Sequence, residues 1–302
     1  MKIDFNALKK RIGKLFKKNE QPSISENHGK HLITEKSPMR VLEAYRMART
    51  NLFYSGNSED GGMVFGVTSA SPNDGKSLTC ANLAISFAMS GKRVLLIDCD
   101  MRKPTQKSAF SVQTDSGLSE YLAGVTDAPA IVETNYENLS LLTSGRCPPN
   151  PAELLYRPRF TELMEKVRGE YDFIFVDLPP VGLISDATIV VPHIAAYILV
   201  VRMRRSDYHM VQAAAENIEK VGGKIAGIVM NDVEDKSISY RYKSRHYGRY
   251  GRYYRRYYSK YSSYISDDAE GKKAETPAEA PVETPTEAPA EDKPTEPTAT
   301  AE

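Results

Sequence analysis

Cysteine and histidine are scarce in this 302-residue chain, with three of the first and five of the second. Cys80, Cys99 and Cys147 have no metal-ligand spacing and the histidines are scattered, so neither residue type suggests a metal centre. The same scatter suits reduced thiols in the cytosol rather than a disulfide framework. Long apolar runs are missing too. The most apolar stretch, Ala187–Val201, is interrupted by Pro192 and His193, whereas a bilayer span needs about 20 apolar residues. The basic N-terminal stretch is not followed by the apolar run of a signal peptide. A soluble protein, at most attached to a membrane surface, is expected.

Net charge is nearly absent, at +1, but the total hides three blocks. Residues 1–20 carry seven Lys/Arg against two acids, residues 240–264 carry eight and no acid, and residues 271–302 carry eight acids against three Lys. Such blocks belong to solvated or interacting tails. In the first, Phe5, Leu8, Ile12 and Leu15 recur at helical spacing among lysines. The segment reads either as an amphipathic helix lying on anionic lipid or as an unstructured basic leader. Residues 21–36 are polar and read as a linker. From Glu275 a four-residue proline repeat with almost nothing apolar predicts a disordered acidic tail.

Between the tails the pattern changes. Ser37, a good N-cap, and Pro38 predict a helix through Val41, Leu42, Tyr45, Ala48 and Leu52, ended by Ser55-Gly56-Asn57. Strands are predicted at Val64–Thr68, Val94–Ile97, Leu139–Leu142, Phe173–Val176, Tyr197–Val201 and Ile225–Met230. Helices are predicted at Gly75–Met89, Gly117–Ala123, Arg159–Val167, Asp186–Val191 and Asp207–Val221. Near-continuous apolar strands alternating with helices give the α/β class, a mostly parallel sheet with helices on both faces. The expected organisation is a basic segment and linker at 1–36, a folded domain at 37–235, a tyrosine-rich basic segment at 236–266 and a low-complexity acidic tail at 267–302.

The first strand runs into Ser69-Ala70-Ser71-Pro72-Asn73-Asp74-Gly75-Lys76-Ser77 and then a helix. This is the order of a P-loop. Backbone N–H groups curl around phosphate oxygens and the helix turns its positive end to the anion. Lys76 is expected to reach the β/γ-phosphates, and the Ser77 hydroxyl to ligate Mg²⁺. Ala70 stands at the usual first glycine, and Asn73 holds a further position where glycine is common. Asn tolerates positive φ better than most residues.

Two further strands end in carboxylates, Ile97-Asp98-Cys99-Asp100 and Val176-Asp177-Leu178-Pro179-Pro180. In doubly wound sheets the C-terminal strand ends face the ligand crevice. Asp177 is the expected magnesium partner of Ser77. If the chain stays extended past Asp98, Asp98 and Asp100 point to the same side, with Asp98 nearer the magnesium and Asp100 farther out.

These motifs resemble the bacterial tyrosine kinases of capsule and exopolysaccharide assembly, which share a P-loop core with septum-placement and partition ATPases. The resemblance covers roughly residues 37–264. Its phosphate motif is met by Ser71–Ser77, its Asp-x-Asp-x-Arg by Asp98, Asp100 and Arg102, and its Asp-x-Pro-Pro by Asp177–Pro180. Its oligomerisation motif, Glu-x-x-Arg-x-x-Arg, is met by Glu43, Arg46 and Arg49, and its Pro-Pro-Asn-Pro loop by Pro148–Leu155. The resemblance implies Ser71, Pro72, Asn73, Asp74, Gly75, Lys76, Ser77 and Leu78 as the nucleotide-binding set. It implies Lys76, Asp98, Asp100 and Asp177 as catalytic, with Asp98 the more direct activator of the acceptor, and Ser77, Asp98 and Asp177 around Mg²⁺. By analogy with related ATPases, Asn231 contacts adenine; a turn-capping role is the alternative.

The resemblance also implies ATP and Mg²⁺ as cofactors and autophosphorylation in trans within a homo-oligomeric ring. It implies control of polysaccharide polymerisation and export, and a membrane adaptor that acts as polysaccharide co-polymerase and activates the kinase. A cognate tyrosine phosphatase and recruitment of a cytoplasmic protein to the inner face of the membrane complete the expectation. On residues alone, Glu43, Arg46 and Arg49 equally fit a solvated helix face with Glu–Arg pairing at i,i+3. The candidate acceptors are Tyr240, Tyr242, Tyr247, Tyr250, Tyr253, Tyr254, Tyr257, Tyr258, Tyr261 and Tyr264. Aromatics interleaved with arginine also suit single-stranded nucleic acid, which gives the competing reading, a partition-type ATPase switch with a DNA-binding tail. Relatives of that type carry an extra lysine where Ser71 stands, and its absence favours the kinase. A non-catalytic scaffold is the third reading.

Overall fold

A computed structural model describes residues 31–55 and 61–233. The strands are β1 (Met63–Ser69), β2 (Val94–Asp98), β3 (Ile131–Glu133), β4 (Leu139–Leu142), β5 (Phe173–Asp177), β6 (Ala196–Arg202) and β7 (Ile225–Asn231). The α-helices are α1 (Met39–Ser55), α2 (Lys76–Ala88), α3 (Gln106–Ala109), α4 (Leu118–Ala123), α5 (Pro151–Leu155), α6 (Pro158–Glu170), α7 (Asp186–Ile189) and α8 (Tyr208–Lys220). One sheet holds all seven strands in the order β3-β4-β2-β5-β1-β6-β7. Every pairing is parallel except β3 with β4.

The apolar runs are explained by the two-residue period of a strand covered on both faces. Leu95, Ile97, Ile174, Val176, Leu199 and Val201 enter one core, with α4, α6 and α8. Their neighbours Val94, Leu96, Phe173, Phe175, Ile198 and Val200 enter the other, with α1 and α2. Under α2, Phe87 packs at 4.5 Å from Phe173 and 5.2 Å from Phe175, between ring centroids. These rings seat the helix that starts at the phosphate loop.

The mostly parallel sheet and all six expected strands are present. The short edge strand β3 was not anticipated; Ile131 and Val132 are only half-buried, Glu133 is exposed, and three residues carry little pattern. Helix α1 starts at Met39, one residue later than expected. Ser37 Oγ accepts from the Thr34 amide at 2.9 Å instead of capping the helix. The helix expected over Asp186–Val191 divides into α7 and a 3-10 turn at Val191–His193, where Pro192 has no N–H to continue the ladder. The polar linker also ends earlier than read. Ile33 is buried, and its amide donates to Asn82 Oδ1 of α2 at 2.9 Å. The basic N-terminal segment, the ten tail tyrosines and the acidic repeat lie outside the described residues.

Candidate active site

The β2–β5 register sets Asp98 opposite Asp177, so two strand-end carboxylates stand side by side. Beside them β1 leads through the phosphate loop into α2. Asn73 adopts φ +63° and Gly75 φ +91°, both in the left-handed region that an asparagine tolerates and a glycine occupies freely. A Cβ on Gly75 would lie 1.9 Å from Asn231 Nδ2, so only glycine fits there. Asn231 Nδ2 donates to the Asp74 carbonyl at 3.1 Å. Arg202 Nη1 donates to the Asn73 carbonyl at 3.3 Å, while its Nε bonds Asp232 at 3.0 Å. Two loop carbonyls are thus held from the β6–β7 side. In planar trans peptides the amides that follow, those of Asp74 and Gly75, point the opposite way.

On the other side, Lys76 Nζ meets Asp100 Oδ2 at 2.6 Å, Ser77 Oγ at 3.0 Å and Asp177 Oδ1 at 3.4 Å. Burial alone would lower the lysine's pKa, but Asp177 and Asp100 outweigh it and the value is raised. Asp177 and Asp98 are both pushed above the usual carboxylate range, chiefly by burial. For Asp98 the neighbouring Asp177 adds to the rise, and the Gln106 amide opposes it. Asp98 is tied to backbone: Oδ1 accepts from Asp100 N at 3.2 Å, and Oδ2 from Thr105 N at 3.2 Å and Gln106 N at 3.0 Å. A lysine, a hydroxyl and three carboxylates therefore meet at the C-terminal ends of the central strands, beside a loop and a helix start suited to phosphate.

An AAA domain model matches residues 73–225. The tyrosine-protein kinase CpsD of Streptococcus agalactiae is 35% identical over 214 residues, 70% of this chain and 90% of that protein. The tyrosine-protein kinase YwqD of Bacillus subtilis is 37% identical over 210 residues, 69% of this chain and 86% of its own length. This chain belongs to the bacterial tyrosine-kinase family. The kinase domain of Escherichia coli tyrosine kinase ETK superposes with a TM-score of 0.61 at 33% identity, covering 68% of this chain and 78% of that one.

In this kinase the acidic pair is arranged differently from the expectation of an extended chain. The strand stops at Asp98, and the chain turns so that Lys103 N reaches both the carbonyl and the Oδ1 of Asp100. Of this pair, Asp100 bonds Lys76, while Asp98 accepts from backbone amides. Asp74 is buried inside the loop. Its Oδ2 accepts from Ser71 N at 3.3 Å, and burial raises its pKa to about 6 against the pull of Ser206, the Ser71 amide, Arg205 and Arg202. Ser71 Oγ lies 3.7 Å from Met210 Sδ.

The oligomerisation motif is divided. Arg46 pairs with Glu43 at 2.5 Å within the helix, as the solvated-face reading had it. Arg49 turns inward and donates to the Ser86 carbonyl of α2. Arg102, at the end of the second motif, bonds the buried Asp186 at 3.0 and 3.3 Å and ties the β2 end to α7. The Pro148–Leu155 stretch contains α5, with Pro151 at its start.

The sequence reading missed Arg202, on the loop's β6–β7 side, and Gln106. Gln106, the first residue of α3, is 1% exposed and bonds Asp177, Ser77 and Asp98. It belongs to none of the motifs, and only the fold brings it to them.

Proposed function

We propose that this kinase uses Mg·ATP to phosphorylate the tyrosines of its own C-terminal segment, Tyr240–Tyr264, in trans between copies, and that this cycle regulates capsular or exopolysaccharide polymerisation and export. The observation that carries the reading is the junction of Lys76, Ser77, Asp100 and Asp177 at the mouth of the phosphate loop. The donors fit magnesium. Ser77, Asp98 and Asp177 offer hard oxygen atoms, and three carboxylates facing one lysine leave negative charge for a divalent cation to neutralise. Among the described residues no three side chains form a ready-made metal cage. Magnesium is usually held by one or two carboxylates together with substrate phosphates rather than by an all-protein cage. When bound, magnesium supplies charge neutralisation at the phosphate oxygens.

The chain's own residues do the rest. The amides of Asp74 and Gly75 face the phosphates, and Lys76 stabilises charge on the transferring phosphoryl group. The tyrosine oxygen bonds to the γ-phosphorus as the bond to the ADP oxygen breaks, and the phenolic proton passes to Asp98. Burial moves Asp98 in the direction that an acceptor at neutral pH needs.

Family membership supports the wider assignments. They are ATP and Mg²⁺ as cofactors, an activating membrane adaptor at the inner face of the membrane, a cognate phosphatase, and a homo-oligomeric ring in which Glu43, Arg46 and Arg49 take part. No helix among the described residues is long and apolar enough to cross a membrane. Incubation of the full chain with ATP and Mg²⁺, followed by phosphotyrosine mapping, tests the reading. Phosphate is expected on Tyr240–Tyr264 in the wild type and not in Lys76→Met. DNA retention without phosphotyrosine would instead support the partition-type ATPase.

A further inference from the structure

We propose that Gln106 is a positioning residue of the kinase reaction: its side-chain amide fixes which oxygen of Asp177 faces Lys76 and Ser77. The inference rests on the magnesium–nucleotide reading above and adds a residue that this reading does not contain.

The amide nitrogen of Gln106 has two protons, and both are engaged. Nε2 donates to Asp177 Oδ2 at 2.7 Å and to the Ser77 carbonyl at 3.0 Å. The main-chain N–H of the same residue donates to Asp98 Oδ2 at 3.0 Å. One residue therefore joins the end of β5, the first turn of α2 and the end of β2. With Oδ2 taken, the other oxygen of Asp177, Oδ1, is the one presented to Lys76 Nζ at 3.4 Å. Without the amide, the Asp177 carboxylate is free to rotate about its terminal torsion, which is broad and two-fold. The Ser77 carbonyl would also lose its link to α3. Gln106 is fully enclosed, so water cannot readily replace either bond. It touches no reacting atom, and its effect passes through Asp177 and Ser77.

The variants are Gln106→Met, of similar size but without donors, and Gln106→Asn, which keeps the donors but is one methylene short. ADP affinity of the full chain is measured by calorimetry with Mg²⁺ and with EDTA, alongside thermal unfolding. Magnesium is expected to tighten ADP binding in the wild type. Gln106→Met should lose about tenfold of that gain, the scale seen when groups behind metal ligands are removed. Its affinity in EDTA should be unchanged, and Gln106→Asn should fall between. An equal loss with and without Mg²⁺ would show a merely structural role and overturn the proposal. So would an intact magnesium gain in either variant, and Gln106→Asn decides if Gln106→Met does not fold. If the wild type itself shows no magnesium effect, the nucleotide reading fails first and the inference goes with it.

Discussion

On the β2–β5 flank of the phosphate loop, buried charges face one another; on the β6–β7 flank, more open groups reach across to hold backbone. Lys76, Asp98, Asp100 and Asp177 are all enclosed. The Arg202–Asp232 pair is not: the Asp232 side chain is 56% exposed, yet Arg202 also holds the Asn73 carbonyl. The first flank has charge in a medium of low polarity, where it acts strongly on phosphoryl transfer. The second has little charge to spare for chemistry, and an exposed ion pair contributes little by itself. Its part is to keep the loop in shape. Rate and affinity should therefore separate between the two flanks.

The largest effect expected is on the buried side. Asp98→Asn should lower phosphotyrosine formation about 100-fold or more at saturating ATP, as loss of an acid–base group does. ADP affinity measured in EDTA should stay close to that of the wild type. A variant that lost affinity and kept its rate would break the comparison. Arg202→Ala should do the reverse. It removes a hydrogen bond on the loop and should weaken ADP binding about tenfold or less. The rate at saturating ATP should be maintained, and a titration against initial rates separates the two effects.

The smallest effect expected concerns stability rather than turnover. The Asp74 carboxyl has its pKa raised from 3.8 to about 6 in the folded chain. The folded state thus binds this proton more tightly than the unfolded state. The resulting stabilisation is complete below the ordinary carboxylate range and is lost as pH rises through about 6. Asp74→Asn removes the titration. Its melting temperature should gain on the wild type between pH 4 and pH 6.5, by about 2–4 °C, and level off above that. Parallel curves across that range would show that Asp74 does not titrate as its enclosure implies.

Much of this contrast was legible in the sequence, but unevenly. The buried flank announces itself, because apolar strands ending in Asp98 and Asp177 combine a local pattern with a local chemical type. The order of Lys76 and Ser77 after β1 is equally local. The two-residue period holds only while the strand continues, so it could not say where Asp100 would lie past Cys99, whose amide is the last to reach β5, at the Asp177 carbonyl. Helical spacing put Glu43, Arg46 and Arg49 on one face, but it could not show that Arg49 would find the Ser86 carbonyl. Gln106 was invisible for a similar reason. It opens a four-residue helix with no periodicity to read, and its partners lie 29 and 71 positions away. Distant hydrogen bonds are products of the fold, and spacing carries no trace of them.

The alternation of side chains along β2, β5 and β6 makes the sheet a wall between two compartments with almost no shared side chains. A void beside α6 and a void beneath α2 therefore remove contacts from different sets of side chains, and of the two only the first borders the phosphate loop's own Ala70.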